Sequence, residues 1–247
     1  MLSLLSRLPF IERISTMNKS RWNLLGAGCG IIDVLLSLIA LLIVPFPPAV
    51  GASAKVITSY YTANSTALLI SNYLLLLTIV FFLWFFGYVS VILRNAEGES
   101  PVLSTVILGA AIAAASIFLL APLIALALLS RTAPGAESVA VGALSDLSQL
   151  SITVSGFPAL LLVGLTSVVA LRTTLLPRWF GGPGLLLVIL LLLGSLSLFI
   201  KSGPLAAGGL LDTLLFLGFL LWELSLSIVL VVRVLATKKA EAVPGVA

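Results

Sequence analysis

Residues 66–93 read TALLISNYLLLLTIVFFLWFFGYVSVIL, an apolar run without one charged side chain. Crossing the ~30 Å hydrocarbon core of a bilayer takes about 20 helical residues, so this run predicts a transmembrane helix with length to spare. It is a continuous series of Leu, Ile, Val and Phe, without the period-two alternation of a strand that faces lipid on one side and a polar lumen on the other. Five further stretches satisfy the same test: Trp22 to Pro45, Val102 to Leu129, Ser151 to Leu171, Gly184 to Ile200 and Leu205 to Val232. Hydrophobic residues make up 60% of the chain and charged residues 9%, against roughly 45–50% and about 25% in soluble domains. The expected fold class is therefore all-α, a polytopic transmembrane bundle of six helices over residues 22–233. Short connections predict that consecutive spans are antiparallel neighbours.

Charge gives the orientation. Arg7, Arg13, Lys19, Arg21, Arg94, Arg172, Arg178, Arg233, Lys238 and Lys239 fall on one side of the predicted bundle, and only Lys55, Arg131 and Lys201 on the other. The positive-inside rule then puts both termini in the cytoplasm. This asymmetry accounts for the net charge of +4, which is no argument for nucleic acid; the partner implied is the lipid bilayer itself.

Several boundaries carry their own signals. Pro45, Pro47 and Pro48 close the first span, Ser100 before Pro101 reads as an N-cap with proline at the first helical position, and Ser202-Gly203-Pro204 repeats that arrangement before the sixth span. Tyr60, Tyr61 and Tyr73 outside, with Trp22, Tyr88 and Trp179 inside, fall where aromatic belts belong. Pro122 and Pro158 lie within spans three and four, and each is expected to kink or break its helix. Asp146, with Ser145, Ser148 and Gln149, reads as a hydrated helix start at the outer interface, and Asp212 falls at that interface too.

Residues 1–21 mix Leu2, Leu4, Leu5, Leu8, Phe10 and Ile11 with Arg7 and Arg13, which suits a cytoplasmic segment lying in the headgroup plane. Translation from Met17 is the competing reading. Ala52-Ser53-Ala54 resembles a signal cleavage site, but the preceding run is too long for a signal peptide and Asp33 interrupts it. Residues 234–247 are expected to form a short disordered cytoplasmic tail.

Absences narrow the chemistry. With no histidine and a single cysteine, Cys29, the chain offers no histidine-ligated haem or zinc, no internal disulfide and no thiolate cluster. No phosphate-binding glycine loop and no nucleophile elbow are found, so no cofactor, metal or catalytic residue is expected, and the protein reads as a non-enzyme.

Asp33 and Glu223 are the sharpest features. Asp33 is 12 residues from Arg21 and Glu223 is 10 from Arg233, which at 1.5 Å per residue puts both roughly 15–18 Å deep, near the bilayer midplane. An ionisable group there is costly and turns inward, and no Lys or Arg lies at that depth to pair with it. Three readings stay open. Each acid is a neutral group bonded to a carbonyl or to Ser37, Ser225 or Ser227; or the two hold a proton, a cation or a substrate's polar group, with Trp222 alongside; or one faces a partner protein. Gly26 and Gly30, a Gly-xxx-Gly step, and Gly109 with Ala113 in span three offer small-residue faces for helix packing, within one bundle or against a partner or second copy. Trp84 and Trp222 are expected to fill the core.

Ile57 to Tyr61, Phe81 to Gly87 through Leu93 to Gly98, Leu171 to Thr173 and Leu176-Pro177-Arg178-Trp179 together resemble a group of uncharacterised six-span bacterial membrane proteins of actinobacterial type. The resemblance covers about residues 22–235. It implies a multi-pass protein of the bacterial cytoplasmic (inner) membrane, and it brings no assigned activity or catalytic residue. The leading expectation is a structural, accessory or regulatory subunit acting through helix-helix contacts, with another membrane protein or a homo-oligomer as partner. The alternative is a small proton- or cation-coupled transporter using the midplane carboxylates.

Overall fold

A computed structural model describes residues 19–97, 101–131, 138–200, 203 and 205–241. Helices α1 (Lys19–Ile43), α2 (Ala54–Ala63), α3 (Ser65–Glu97), α4 (Val102–Phe118), α5 (Leu120–Arg131), α6 (Ser138–Arg172), α7 (Arg178–Gly194) and α8 (Leu210–Glu241) follow in order, with a 3-10 turn over Ser195–Phe199. No strand occurs among the described residues. Six helical stretches are long and apolar enough to cross a membrane: Arg21–Ile43, Ser65–Glu97, Val102–Ser130, Val139–Arg172, Arg178–Phe199 and Leu210–Lys239. The predicted bundle of six apolar helices is present. The N-terminal segment lies outside the described residues up to residue 18, as do Ser100, Ser202 and Pro204.

The spans form a ring in chain order. α1 packs on α3, α3 on α4 and α5, these on α6, α6 on α7, α7 on α8, and α8 returns to α1. Large apolar side chains cover the outside, among them Leu35, Leu186 and Leu221, where a bilayer can take them up at no hydrophobic cost. The inside carries small and polar groups. Ser71 donates to the Ala40 carbonyl (2.9 Å), Ser90 to that of Ser104 (3.0 Å) and Ser227 to that of Ala27 (2.5 Å), stitching α3 to α1, α3 to α4 and α8 to α1. Each such bond in a membrane interior contributes about 0.6–2 kcal/mol.

Several boundaries depart from the expected ones. The fourth span begins at Ser138, not at Ser151, so Ser145, Ser148 and Gln149 are buried between helices and are not a hydrated start. With Val141 they recur at helical spacing on the inward face, while Val139, Leu144 and Leu147 face outward. This reversed amphipathicity lowers the hydropathy of the stretch without ending the helix. Ser148 donates to the Ala121 carbonyl (3.1 Å), and Asp146 accepts the Gly51 N–H (2.9 Å) from the loop after α1.

The fifth span begins at Arg178 and not at Gly184, and the sixth at Leu210 and not at Leu205. Gly203 and Gly208 have φ of 97° and 72°, a region that breaks a right-handed helix, and residues 205–209 turn before α8 starts. At its other end α8 continues to Glu241, so the expected disordered tail from 234 is helical for a further two turns. Its last turn holds Lys238 and Lys239, which favour the negative end of the helix dipole.

α2 was not among the expected spans. Its Ile57 and Tyr61 face packs with Leu68, Ala125, Leu128 and Val141 as a separate small core. Burial pushes the Tyr61 phenol up to about 12 and raises Tyr60 as well, so both stay neutral, and Tyr60 donates to the Pro45 carbonyl (2.8 Å). At the arginine-rich end Glu97 does not simply pair with Arg94 as a helix-end neighbour would. It accepts the Leu103 and Ser104 N–H groups (3.1 and 2.6 Å) and so caps α4, for which Pro101 occupies the N-cap position.

The two prolines expected within spans, Pro122 and Pro158, behave differently. Pro122 cannot donate to the Phe118 carbonyl, so the third span loses that bond where α4 meets α5, while Leu119 stays right-handed helical and its N–H reaches the Ala115 carbonyl (2.9 Å). Pro158 lies inside α6 without ending it. Trp222 is buried, whereas Trp84 is 49% exposed and stacks on Trp22 (6.3 Å); it faces outward and does not fill the core.

Candidate functional site

The contact between α1 and α8 brings the two midplane carboxylates together. Asp33 is 3% exposed and Glu223 0%, and the two carboxyl groups interact directly. Neither Glu223 oxygen has a hydrogen bond of normal geometry. Two of the three serines proposed as partners are engaged elsewhere: Ser225 donates to the Leu221 carbonyl (2.8 Å) and Ser227 to that of Ala27, while Ser37 lines the same cavity as the two acids. A buried acid with only a second carboxyl to share a proton with is unusual, because each unsatisfied polar group costs about 1–3 kcal/mol and more when charged.

Both acids line a cavity of about 110 Å³ at the centre of the ring. Every span contributes to its wall: Asp33 and Ser37 from α1, Thr78 and Phe82 from α3, Ala114 and Phe118 from α4, Thr153 and Gly156 from α6, Leu191 from α7, and Phe216 and Glu223 from α8. A water needs about 10–15 Å³ measured in this way, so the space accommodates several waters or a small ion. Phe118, four residues before Pro122, and the proline-bearing stretch of α6, through Gly156, Ala159 and Leu160, line the cavity.

The far end of the cavity, away from the arginines, is marked by Asp212. Asp212 lies 11 residues, or ~16 Å of helix, from Glu223. It is 9% exposed and accepts from Thr153 (2.5 Å), the Gly208 N–H (2.8 Å) and Ser197 (3.4 Å). This cluster ties the start of α8 to α6 and to the 3-10 turn. Depth counting alone places Asp212 at the outer interface and misses its burial. The legible signal is an acid in the first turn of a helix, where its side chain can reach back to an unpaired N–H.

A second cavity, of about 700 Å³, lies at the arginine-rich end and is lined by Asn23, Tyr88, Asn95, Arg233 and Lys238 among others. The Arg233 guanidinium donates to the Leu175 carbonyl at its edge. From Glu223 to Leu230, where this second cavity begins on α8, is ~10 Å of helix. Packed aromatic and aliphatic side chains fill that interval. Trp222 stacks on Phe86 (6.3 Å, 13°) and touches Phe180 and Phe219 (both 5.7 Å), beside Leu226. Its indole N–H is buried without a partner.

The small-residue candidates separate by location. A Cβ on Gly26 would stand 2.6–2.9 Å from Tyr88, and one on Gly30 would stand 3.0 Å from the Phe85 ring, so this Gly-xxx-Gly step is where α1 meets α3 inside the bundle. Gly109 and Ala113 lie on the exposed face of α4, and a Cβ on Gly109 would meet nothing. Among the described residues no group of three or more acidic or cysteine side chains converges as a metal shell.

Six apolar spans around an acid-lined cavity define a multi-pass membrane protein. The chain matches no family model, no curated protein and no solved structure.

Proposed function

We propose that this protein is a small transporter that moves a cation across the membrane in exchange for protons, with Asp33 and Glu223 as the groups that hold either one. The observation that carries this reading is Glu223: wholly buried, held against a second carboxyl with no hydroxyl, amide or cationic donor on either oxygen, on the wall of a central cavity. A merely structural acid would be bonded to a neighbouring hydroxyl or carbonyl. Two cavities at opposite ends, separated by the Trp222 layer, fit alternating access to a midplane site. The charge asymmetry supports insertion with both termini in the cytoplasm, and the resemblance to bacterial six-span proteins supports the inner membrane as its location.

The test is proton flux into liposomes reconstituted with the purified protein and loaded with a pH-sensitive dye. Flux well above that of empty liposomes, lost in both Asp33→Asn and Glu223→Gln, is the expected result. Equal flux in all three proteins and in empty liposomes would end this reading. The exposed Gly109 and Ala113 face favours a second reading, an accessory or regulatory subunit or a homo-oligomer. Native mass spectrometry with lipids retained tests it through a stoichiometric second chain.

A further inference from the structure

The walls of the central cavity state what kind of cation would suit it. Its charged residues are acids only, Asp33, Asp212 and Glu223, with no Lys or Arg among the lining side chains. An anion is therefore disfavoured at every depth. Four of the remaining positions are phenylalanines. Phe118 and Phe216 stack at 6.0 Å and 13°, and Phe82 and Phe219 lie 6.4 Å apart at 41°. Phe82 and Phe219 belong to the same helices as Thr78 and Glu223, one turn away in each case, so rings and acid share one compartment. An inorganic metal ion would need several oxygens converging on one point; hydroxyls such as Ser37 and Thr78 line the wall, but no group of three or more acidic or cysteine side chains converges among the described residues. Ring faces do attract a weakly hydrated cation whose charge is spread over alkyl groups.

We propose that the central cavity binds a small organic ammonium ion with short alkyl substituents, its charge against the Asp33 and Glu223 carboxyls and its alkyl groups against Phe82 and Phe219. This rests on the transport reading above and names the cargo class for the same site. Such an ion supplies the positive charge that Glu223 lacks, and binding displaces one carboxyl proton per monovalent cation, so charge in the site is conserved. Asp212, at the far end of the same cavity, provides a negative field along the approach.

The experiment is equilibrium binding of tetraethylammonium to the full chain in mild detergent, with sodium as competitor, run beside the liposome flux assay. Saturable binding of one ion per chain is expected. Glu223→Gln should weaken it by about tenfold or more. Phe219→Leu, which keeps apolar bulk but removes the ring face, should weaken it by about two- to fivefold. Sodium in large excess should not compete. Asp33→Asn serves as a second test if Glu223→Gln does not fold, judged by a single symmetric peak in gel filtration. No tetraethylammonium binding alongside intact carboxylate-dependent proton flux would overturn the cargo assignment and leave the transport reading standing. Loss of both would remove both. Binding indifferent to the carboxylate variants, or displaced equally by sodium, would also overturn the cargo assignment.

Discussion

At the residue scale, Asp33 and Glu223 separate a structural role from a functional one. Replacing a buried ionisable pair by apolar residues of similar volume is often neutral or stabilising, by about 1–4 kcal/mol. The double variant Asp33→Leu with Glu223→Leu is therefore predicted to raise the thermal unfolding midpoint, or leave it unchanged, while abolishing proton flux. A large fall in that midpoint would mark the pair as a structural bond. The glycines give an independent check on packing. Gly26→Ala drives a methyl into Tyr88 and is predicted to cost about 1–3 kcal/mol. Gly28→Ala, two residues along, meets nothing within 4 Å and is predicted to gain up to about 1 kcal/mol from helix propensity. Denaturation of the two proteins in the same detergent measures the contrast. The midplane acids were legible in the sequence because depth follows from counting residues to an arginine. The pairing was not, since only the return of α8 to α1 puts them side by side, and Asp212 was missed because burial at a helix start depends on Thr153 and Ser197 arriving from other elements.

At the element scale, apolar run length was enough to find all six spans, while their ends depended on interactions outside each run. The fourth span shows why: its first three turns point polar groups inward and Val139, Leu144 and Leu147 outward, so a hydropathy profile reads a helix end where none exists. The sixth shows the converse, since an apolar stretch from Leu205 is kept out of the helix by Gly208, whose left-handed backbone also leaves room for Gln149. Short α2 escaped notice because its buried face is only Ile57 and Tyr61. Pro122 removes one hydrogen bond from the third span. Pro122→Ala restores an N–H for the Phe118 carbonyl, and it is predicted to stabilise the protein and to slow flux, because the added bond stiffens the helix at Phe118 on the cavity wall. Unchanged flux with higher stability would make the missing bond irrelevant to transport.

At the scale of the whole molecule, six spans in sequential order form a ring whose centre holds an acid-lined cavity toward one end and is sealed by aromatics toward the other. Trp222→Ala removes the middle of that seal. It is predicted to cost about 3–5 kcal/mol and to produce a proton leak that no longer depends on Asp33 or Glu223, measurable in the same liposomes. The ring also makes Cys29 useful: it is the only cysteine of the chain and is buried, so Cys29→Ala gives a clean background for reporter thiols. The most direct test of the account is the reactivity of Ser37→Cys, on the cavity wall one turn from Asp33, toward a small membrane-impermeant thiol reagent, set against Ala27→Cys in the packed core. Rapid labelling at 37 from one face of the membrane, slowed by tetraethylammonium and far exceeding that at 27, is the predicted result. Labelling at 37 no faster than at 27 from either face would mean that no aqueous path reaches the carboxylate pair.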